Sequence, residues 1–285
     1  MLTYLQAIVL GLIQGATELF PVSSLGHSVI IPALFHWDVS RTNDFLIFLV
    51  ATHLATSLVL LAFFFRDWLK ILTGMWSSLR EREIKADNIH GKLGWLIVVG
   101  TIPAGILGLL FEDKLKTLFA LPRYAALFLV VNGMLLLAME AFKKKKGSDA
   151  QGSGGDIRIS RLTWTQSIKI GFAQCLALIP GISRTGSTLG GGLLIGLSHE
   201  DAARFSFLLA TPIIFAASAL KLPELITSGT SAIIGPIIIG SLASAIAAYF
   251  SVRFLTRYFK TNSLKPFAVY CLMVGAVCSV VFLLN

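Results

Sequence analysis

Gln14-Gly-Ala-Thr-Glu18-Leu-Phe-Pro21-Val-Ser-Ser24-Leu-Gly26-His27 places an acid, two hydroxyls and an imidazole between two strongly apolar runs. Ionisable side chains at membrane depth are costly, and they mark functional sites in membrane proteins. Pro21 and Gly26 interrupt the helical pattern, which favours two half-length helices over one full span. The stretch therefore predicts a re-entrant helical hairpin over 4–36 that carries polar chemistry.

The composition of the whole chain agrees with a membrane setting. Of its 285 residues, 55% are hydrophobic and 14% are charged, and the mean hydropathy is +0.78. Soluble domains carry about 25% charged residues. We therefore predict a single integral membrane domain over 1–285. The first apolar run lacks a basic flank and a cleavage site, so we expect it to stay in the mature protein.

Charge and cysteine content exclude two other classes of function. The net charge of +9 is typical of membrane proteins with basic cytoplasmic loops, and we therefore expect no nucleic-acid partner. Cys175, Cys271 and Cys278 lie in apolar sequence without metal-ligand spacing. They are expected to be buried small hydrophobic residues, not a disulfide or a zinc site.

Six apolar segments approach the roughly 20 residues that a helix needs to cross the hydrocarbon core. They form two groups of three, and a segment broken by Pro and Gly precedes each group. The predicted units are repeat 1 over 1–142 (hairpin 4–36, spans 45–65, 93–111 and 124–142), a cytoplasmic linker over 143–161, and repeat 2 over 162–285 (hairpin 163–197, spans 203–221, 231–250 and 266–284).

The two groups share sequence features at matching offsets. Gln14 precedes Gly26 by the same interval at which Gln174 precedes Gly186. Phe48-Leu-Val-Ala-Thr52 has a counterpart in Phe207-Leu-Leu-Ala-Thr211. A hairpin returns to its own side and three spans cross, so the second repeat must be inverted. The predicted fold is an all-α polytopic membrane protein with six transmembrane helices and two re-entrant hairpins, arranged as two inverted-topology repeats.

The distribution of basic residues gives an orientation. The stretches 66–92, 143–161 and 251–265 contain six, six and four Lys and Arg residues, and the opposite loops contain five in all. Positive charge collects in cytoplasmic loops. We therefore expect both termini and the mouth of the first hairpin to face outward, while the second hairpin enters from the cytoplasm.

The first hairpin carries candidates for catalysis. Gln14 and Glu18 are four residues apart and share a helix face, and Ser23 or Ser24 is suited to cap the next helix. Ser24 and His27 would lie side by side. A hydroxyl beside an imidazole and a carboxylate suggests nucleophile activation or metal-assisted attack. The alternative roles are a plain helix cap for Ser24, a buried and hydrogen-bonded histidine for His27, and a structural acid for Glu18. His53, on the first span, is interpreted as a packing or helix–helix hydrogen-bonding residue and not as a ligand.

The second hairpin contains Pro180-Gly-Ile-Ser183-Arg184-Thr185-Gly186-Ser187-Thr188. Ser183 can cap a helix whose free N–H groups, with the hydroxyls and a guanidinium, would form a phosphate cradle. The alternatives for Arg184 are an ion pair with Glu18 or extension to the membrane interface.

The motifs at 14–27 and 180–188 resemble those of bacterial undecaprenyl-diphosphate phosphatases of the bacitracin-resistance type, and the resemblance spans nearly the whole chain. It implies hydrolysis of undecaprenyl diphosphate to the monophosphate and inorganic phosphate, with a divalent cation, Mg²⁺ or Ca²⁺. The carry-over assigns catalysis to Glu18, Ser24, His27 and Arg184. It assigns substrate binding to Ser23, Ser183, Thr185, Ser187, Thr188 and Gln14, and metal binding to Glu18 and Gln14.

The sequence leaves alternatives for the role of Gln14, for the nucleophile and for the function. Many family members have Glu where this chain has Gln14, which leaves Glu18 as the strong acid of the motif. The nucleophile is Ser24 with His27 as base, which we favour, or His27 itself, or water. A polyprenyl-phosphate flippase is the alternative function, because inverted repeats are common in transporters.

The resemblance also implies a setting and partners for the protein. The expected location is the bacterial inner membrane, with the active site opening to the periplasm. The expected partners are the polyprenyl diphosphate substrate and membrane lipids, and a homodimer is the candidate assembly.

Overall fold

The computed structural model describes residues 2–37, 43–111, 121–143, 155–226 and 234–284, and these residues form helices and no strands. A short 3₁₀ turn covers Leu176–Leu178. The α-helices in chain order are α1 (Tyr4–Leu19), α2 (Ser24–Leu34), α3 (Asn43–Phe63), α4 (Phe65–Glu81), α5 (Ile89–Leu110), α6 (Pro122–Ala141), α7 (Gly155–Ser160), α8 (Trp164–Cys175), α9 (Arg184–Leu194), α10 (His199–Ile226), α11 (Ile234–Tyr258) and α12 (Lys265–Leu284).

Six of these helices are long and apolar enough to cross a membrane, which confirms the predicted class of multi-pass, all-helical membrane protein. The apolar composition of each span leaves backbone hydrogen bonding within the helix as the only way to satisfy its polar groups in lipid. The candidate spans are Asp44–Phe63, Ile89–Leu110, Pro122–Ala141, His199–Lys221, Ile234–Tyr258 and Lys265–Leu284.

The stretches expected to be loops contain more helix than the sequence suggested. Helix α4 occupies most of 66–92, and α11 extends through Tyr258 into the stretch 251–265. Within 143–161 the structure describes Lys143 and residues 155–161, including α7, while 144–154 lie outside the described residues. Helix α4 was overlooked because its apolar residues recur at helical spacing among charged ones, so its mean hydropathy is low.

Each interrupted segment forms two helices separated by a break. Capping boxes start both segments, one formed by Thr3 with Gln6 and one by Thr163 with Gln166. Ser23 caps α2 and Ser183 caps α9, as N-terminal capping preferences predict. The local sequence therefore starts and stops all four short helices.

Small residues let these short helices pack closely against spans of the other half. At Gly11 of α1 an added Cβ would lie about 3 Å from the backbone of Gly240 on α11. At Gly171 of α8 it would lie 3.1 Å from the carbonyl carbon of Gly100 on α5. Because a side chain would not fit at either position, the two glycine contacts bring each broken segment into the centre of the bundle.

Candidate active site

The two helix breaks meet at the centre of the molecule. A Cβ on Gly26 would lie 3.1 Å from the Cα of Gly181, and one on Gly186 would lie 3.3 Å from the Cβ of Pro21. Gly181 has φ +101°, which a residue with a side chain adopts only with strain. The glycines thus allow the two polar breaks to face each other at close range.

Asn132, on α6, holds both breaks. Its Nδ2 donates to the carbonyl of Pro21 at 3.0 Å, and its Oδ1 accepts from the backbone N–H of Ser183 at 3.0 Å. Both groups lie in irregular backbone and lack helical partners, so this one amide satisfies a polar group on each break. Asn132 therefore fixes the position of one break relative to the other.

Glu18 is the centre of the side-chain cluster. Its Oε2 accepts hydrogen bonds from Gln14 Nε2 at 2.9 Å and from Ser24 Oγ. Its Oε1 accepts from Arg184 Nη2 at 3.0 Å. All four side chains lie largely inside the protein, where charge-assisted hydrogen bonds are strong. The carboxylate thus joins the first hairpin to the second.

Arg184, at the start of α9, has unused donor capacity. One of its terminal nitrogens binds Glu18, while Nη1 is buried and has no hydrogen-bond partner in the described part of the chain. A buried, unpaired guanidinium N–H is costly unless a ligand or water accepts from it. Nη1 is therefore available to an anionic group that enters between the hairpins.

His53, on α3, also contacts the acid. Its Nδ1 lies 2.7 Å from the carbonyl of Leu49, so Nδ1 carries a proton. Its Nε2 lies 3.2 Å from Glu18 Oε2. Because an ionised carboxylate only accepts, a further proton must lie on His53 Nε2 or on Glu18. The pair can hold and release that proton next to Ser24.

His27, on α2, is bonded in a different way. Its Nδ1 donates to the carbonyl of Ser23 at 2.7 Å, and its Nε2 lies 2.8 Å from the hydroxyl of Tyr270. Ser23 has φ 69°, an uncommon conformation for a residue with a side chain. A phenol can donate to Nε2, so both ring nitrogens are satisfied in the neutral imidazole.

The hydroxyls of the second hairpin bond mostly to the protein itself. Ser183 Oγ accepts from the Gly186 N–H at 3.0 Å, and Thr185 Oγ1 donates to the Glu18 carbonyl at 3.0 Å. Thr188 bonds to the Arg184 carbonyl at 2.9 Å and to Ser206, and Ser187 is buried beside it. These contacts hold the first turn of α9 against α1 and α10.

The structure brings together Gln14, Glu18, Ser24 and Arg184, four of the residues singled out from the sequence. Ser24 and His27 lie on one turn, but their side chains bond to different groups, so the expected Ser24–His27 hydrogen bond is absent. The ion pair with Glu18, weighed as the alternative for Arg184, is present.

Three further residues join the site: His53, Asn132 and Tyr270. The expectation that His53 packs or hydrogen-bonds between helices is confirmed, because its Nε2 on α3 lies 3.2 Å from Glu18 on α1; that its partner is the central acid was not predicted. One sequence signal could have found it, since His53 directly follows the repeated segment that ends at Thr52. Asn132 and Tyr270 lie on apolar spans distant in sequence, and only the packing of α6 and α12 brings them in.

The donor set sets limits on a metal. Among the described residues, no group of three or more His, Cys, Asp or Glu side chains could hold an ion. Mg²⁺ is commonly bound by one or two carboxylates together with substrate phosphates and water. Gln14 turns its Nε2 toward Glu18 and its Oε1 toward Ser28, so this amide must rotate before its oxygen and the Glu18 carboxylate can share an ion of that kind with a diphosphate.

Comparison with known proteins gives the family. The sequence model of the family described as bacitracin resistance protein BacA matches residues 7–277. An undecaprenyl-diphosphatase of Mycolicibacterium paratuberculosis is 48% identical over 293 residues, which cover 96% of this chain and 95% of that protein. An undecaprenyl-diphosphatase 2 of Chromobacterium violaceum is 47% identical over 278 residues, which cover 96% of each chain. The chain therefore belongs to the family of the bacitracin resistance protein BacA.

Proposed function

We propose that the protein is an undecaprenyl-diphosphatase, which hydrolyses undecaprenyl diphosphate to undecaprenyl phosphate and inorganic phosphate. The reaction recycles the lipid carrier of cell-wall synthesis and confers resistance to bacitracin. Family membership and the names of the relatives support this function. The observation that carries the site is the Glu18 carboxylate, which binds the Ser24 hydroxyl and the Arg184 guanidinium at once.

Arg184 is the anchor for the diphosphate. The unpaired Nη1 supports a hydrogen bond to a phosphate oxygen, and the positive charge would stabilise the negative charge that develops on the transferring group. The free N–H groups at the start of α9 add favourable dipoles. The hydroxyls of Ser183, Thr185 and Thr188 hold the start of α9 in place, and Ser23 caps α2. These residues and Ser187 are the further proposed contacts of the diphosphate.

Ser24 is the proposed nucleophile. Its Oγ forms a bond to the terminal phosphorus while the bridging P–O bond breaks and undecaprenyl phosphate leaves with the electron pair. The hydrogen bond to Glu18 supports this acid as the acceptor of the Ser24 proton, in place of the His27 favoured from the sequence. Glu18 then passes the proton to the leaving phosphate.

Water completes the cycle. It attacks the phosphorus of phospho-Ser24, gives a proton to Glu18 and releases inorganic phosphate, and Glu18 returns the proton to the Ser24 oxygen. His53 holds Glu18 in position through Nε2. His27, tied to Ser23 and Tyr270, lines the pocket on the α2 side.

A divalent cation, Mg²⁺ or Ca²⁺, is the proposed cofactor. Glu18 and the Gln14 amide oxygen would hold it together with oxygens of the substrate. When bound, the ion neutralises charge on the diphosphate and so favours attack by an oxygen nucleophile.

We further propose that 4–36 and 163–197 are re-entrant hairpins of two inverted repeats. Support comes from pairs of residues 160 positions apart that do the same work: Thr3 and Thr163 cap the first helices, and Ser23 and Ser183 cap the second. The packing is also reciprocal, because α1 lies on α11 and α8 lies on α5.

The proposed location is the bacterial inner membrane. Both termini lie outside, the active site opens to the periplasm, and a homodimer is the proposed assembly. The excess of basic residues in 66–92, 143–161 and 251–265 supports this orientation. Labelling of single cysteines introduced at position 150 and at the exposed position 36 in intact cells tests it, since only the second should react with an impermeant reagent.

Phosphate release by the purified protein in detergent tests the function. With undecaprenyl diphosphate and Mg²⁺ we expect turnover that chelation by EDTA abolishes. Ser24→Ala should release no phosphate, and mass spectrometry of the wild type quenched with acid should find the phosphoryl group on Ser24. An adduct on His27 alone would contradict the assignment of the nucleophile. Transport of undecaprenyl phosphate across vesicles without phosphate release would instead favour a flippase.

A further inference from the structure

A cavity lies away from the helix breaks, at the N-terminal ends of α5 and α8. Its volume is about 570 Å³, which is within the range of small-molecule sites. The lining residues come from the α4–α5 connection, the first turn of α5, and the end of α7 with the start of α8. They are Ile84, Lys85, Ala86, Asn88, Ile89, Lys92, Ile157, Ser160, Arg161 and Trp164.

The charged side chains of this cavity are all cationic. Lys85, Lys92 and Arg161 line it, and no carboxylate of the described residues does. Lys85 is paired with Glu81 at 3.0 Å. Neither Lys92 nor Arg161 has an ion-pair partner within the described ranges of the chain. The cavity therefore presents two uncompensated positive charges, which favours an anionic ligand.

The rest of the lining is apolar and aromatic. Ile84, Ile89 and Ile157 form its walls, and Trp164 is 42% exposed at its edge. Tryptophan with basic residues is the composition found at the headgroup level of membranes. A free inorganic anion would leave these apolar side chains without contacts, whereas the glycerol and acyl chain of a lipid would pack against them.

Helix α4 indicates that the cavity lies at the membrane surface. Its large apolar residues recur on one exposed face, and basic residues flank them, as in helices that lie in the interface. The exposed apolar residues are Phe65, Leu69, Leu72, Trp76 and Leu79, and the basic ones are Arg66, Lys70 and Arg80.

The contacts of α4 agree with that position. Its residues Gly74 and Ser78 contact the first turns of α5, at Gly91 and Trp95, and Asp67 in its first turn pairs with Arg204 of α10 at 3.1 Å. The helix thus crosses the end of a span, and the cavity begins three residues after α4 ends. An apolar face at the acyl boundary would hold this cavity at the depth of the headgroups.

We propose that this cavity binds the headgroup of an anionic phospholipid. Lys92 and Arg161 contact its phosphate, and Trp164 with the isoleucines contacts the glycerol and the first acyl carbons. Basic pockets between spans are known sites for anionic headgroups. The site is separate from the hairpin breaks, so the proposal does not depend on the phosphatase activity.

Lipid titration of the purified full-length protein tests the proposal. Dioctanoyl-phosphatidylglycerol is added to the protein in neutral detergent, and tryptophan fluorescence is recorded. We expect saturable binding whose signal disappears in Trp164→Phe. The double variant Lys92→Gln/Arg161→Gln should bind about 30-fold more weakly, since each cation near a lipid surface contributes roughly a factor of five.

The matched control is Arg253→Gln/Lys265→Gln, which removes one Arg and one Lys from the same side outside the cavity. Both double variants should show unchanged thermal unfolding. Equal loss of binding in the two would overturn the proposal, because it would reveal unspecific attraction. Binding of glycerol phosphate as tight as that of the lipid, or of dioctanoyl-phosphatidylcholine as tight as phosphatidylglycerol, would also overturn it.

Discussion

Two buried glutamates in this protein have nearly the same partners and different surroundings. Glu18 binds His53 at 3.2 Å and Arg184 at 3.0 Å. Glu140, at the end of α6, binds His199 at 2.8 Å and Lys143 at 2.6 Å. An acid with a histidine and a cation is therefore present twice, and this grouping alone does not define an active site.

The remaining partners distinguish the two. Glu140 also accepts from the backbone N–H of Leu264 at 3.2 Å, so it ties together the ends of three helices. Glu18 instead accepts from the hydroxyl of Ser24, and its arginine keeps a buried nitrogen that has no partner among the described residues. This hydroxyl and this unsatisfied donor are the reasons to propose chemistry at Glu18 and a structural role for Glu140.

The largest expected effect is on catalysis at Glu18 and Arg184. Glu18→Ala and Arg184→Ala should each lower phosphate release from undecaprenyl diphosphate by about 10³-fold or more, because the first removes the acceptor of the Ser24 proton and the second removes the positive charge that stabilises the transferring phosphoryl group. Glu140→Ala is the matched control, and its turnover per folded molecule should stay within about 3-fold of wild type. Near-wild-type turnover of Arg184→Ala would remove the distinction between the two glutamates.

Replacing His53 should give a smaller loss. His53→Ala leaves Glu18 without one donor, and we expect phosphate release to fall by about 10–100-fold. His53→Gln can still donate to the carboxylate, so it should recover most of the activity if the ring only positions Glu18. The measurement is kcat and KM for each variant. If kcat and KM of His53→Ala equal those of the wild type, His53 does not position Glu18 for catalysis.

At Glu140 the expected effect is on stability. Removing a buried carboxylate leaves His199 and Lys143 without their acceptor, which costs about 3 kcal/mol when a buried ion pair is broken. Thermal unfolding in detergent should show a clear fall in Tm for Glu140→Ala. His53→Gln serves as the comparison, and its Tm should change little. An unchanged Tm for Glu140→Ala would mean that other contacts between the helices stabilise this end of the bundle.

The smallest expected effect is on the cation. Gln14→Glu gives the motif a second carboxylate beside Glu18, and a second charged ligand tightens binding of a hard cation. The Mg²⁺ concentration at half-maximal phosphate release should fall by about 5-fold, and isothermal titration should show the same change without substrate. Weaker Mg²⁺ binding in Gln14→Glu would argue against Glu18 and Gln14 as ligands.

Much of this site was predictable because its residues lie in two compact motifs. Spacing alone puts Gln14 and Glu18 on one helix face and Ser183 at a cap, since helical periodicity and capping are local properties. The same local reasoning placed His27 beside Ser24 as its partner, whereas the Ser24 hydroxyl donates to Glu18 and His27 bonds to Tyr270. The partner of a side chain depends on which helices pack around it, and local spacing does not give that packing.

The membrane class, the six spans, the two helix breaks and the family were predictable from the sequence, because each depends on composition, local periodicity or contiguous motifs. Three contacts are seen only in the folded protein: Ser24 donates to Glu18, His27 bonds to Tyr270, and Asn132 bonds to both breaks. These contacts join residues on different helices, some more than 200 positions apart. Close packing of small residues selects them, and no local pattern encodes that packing.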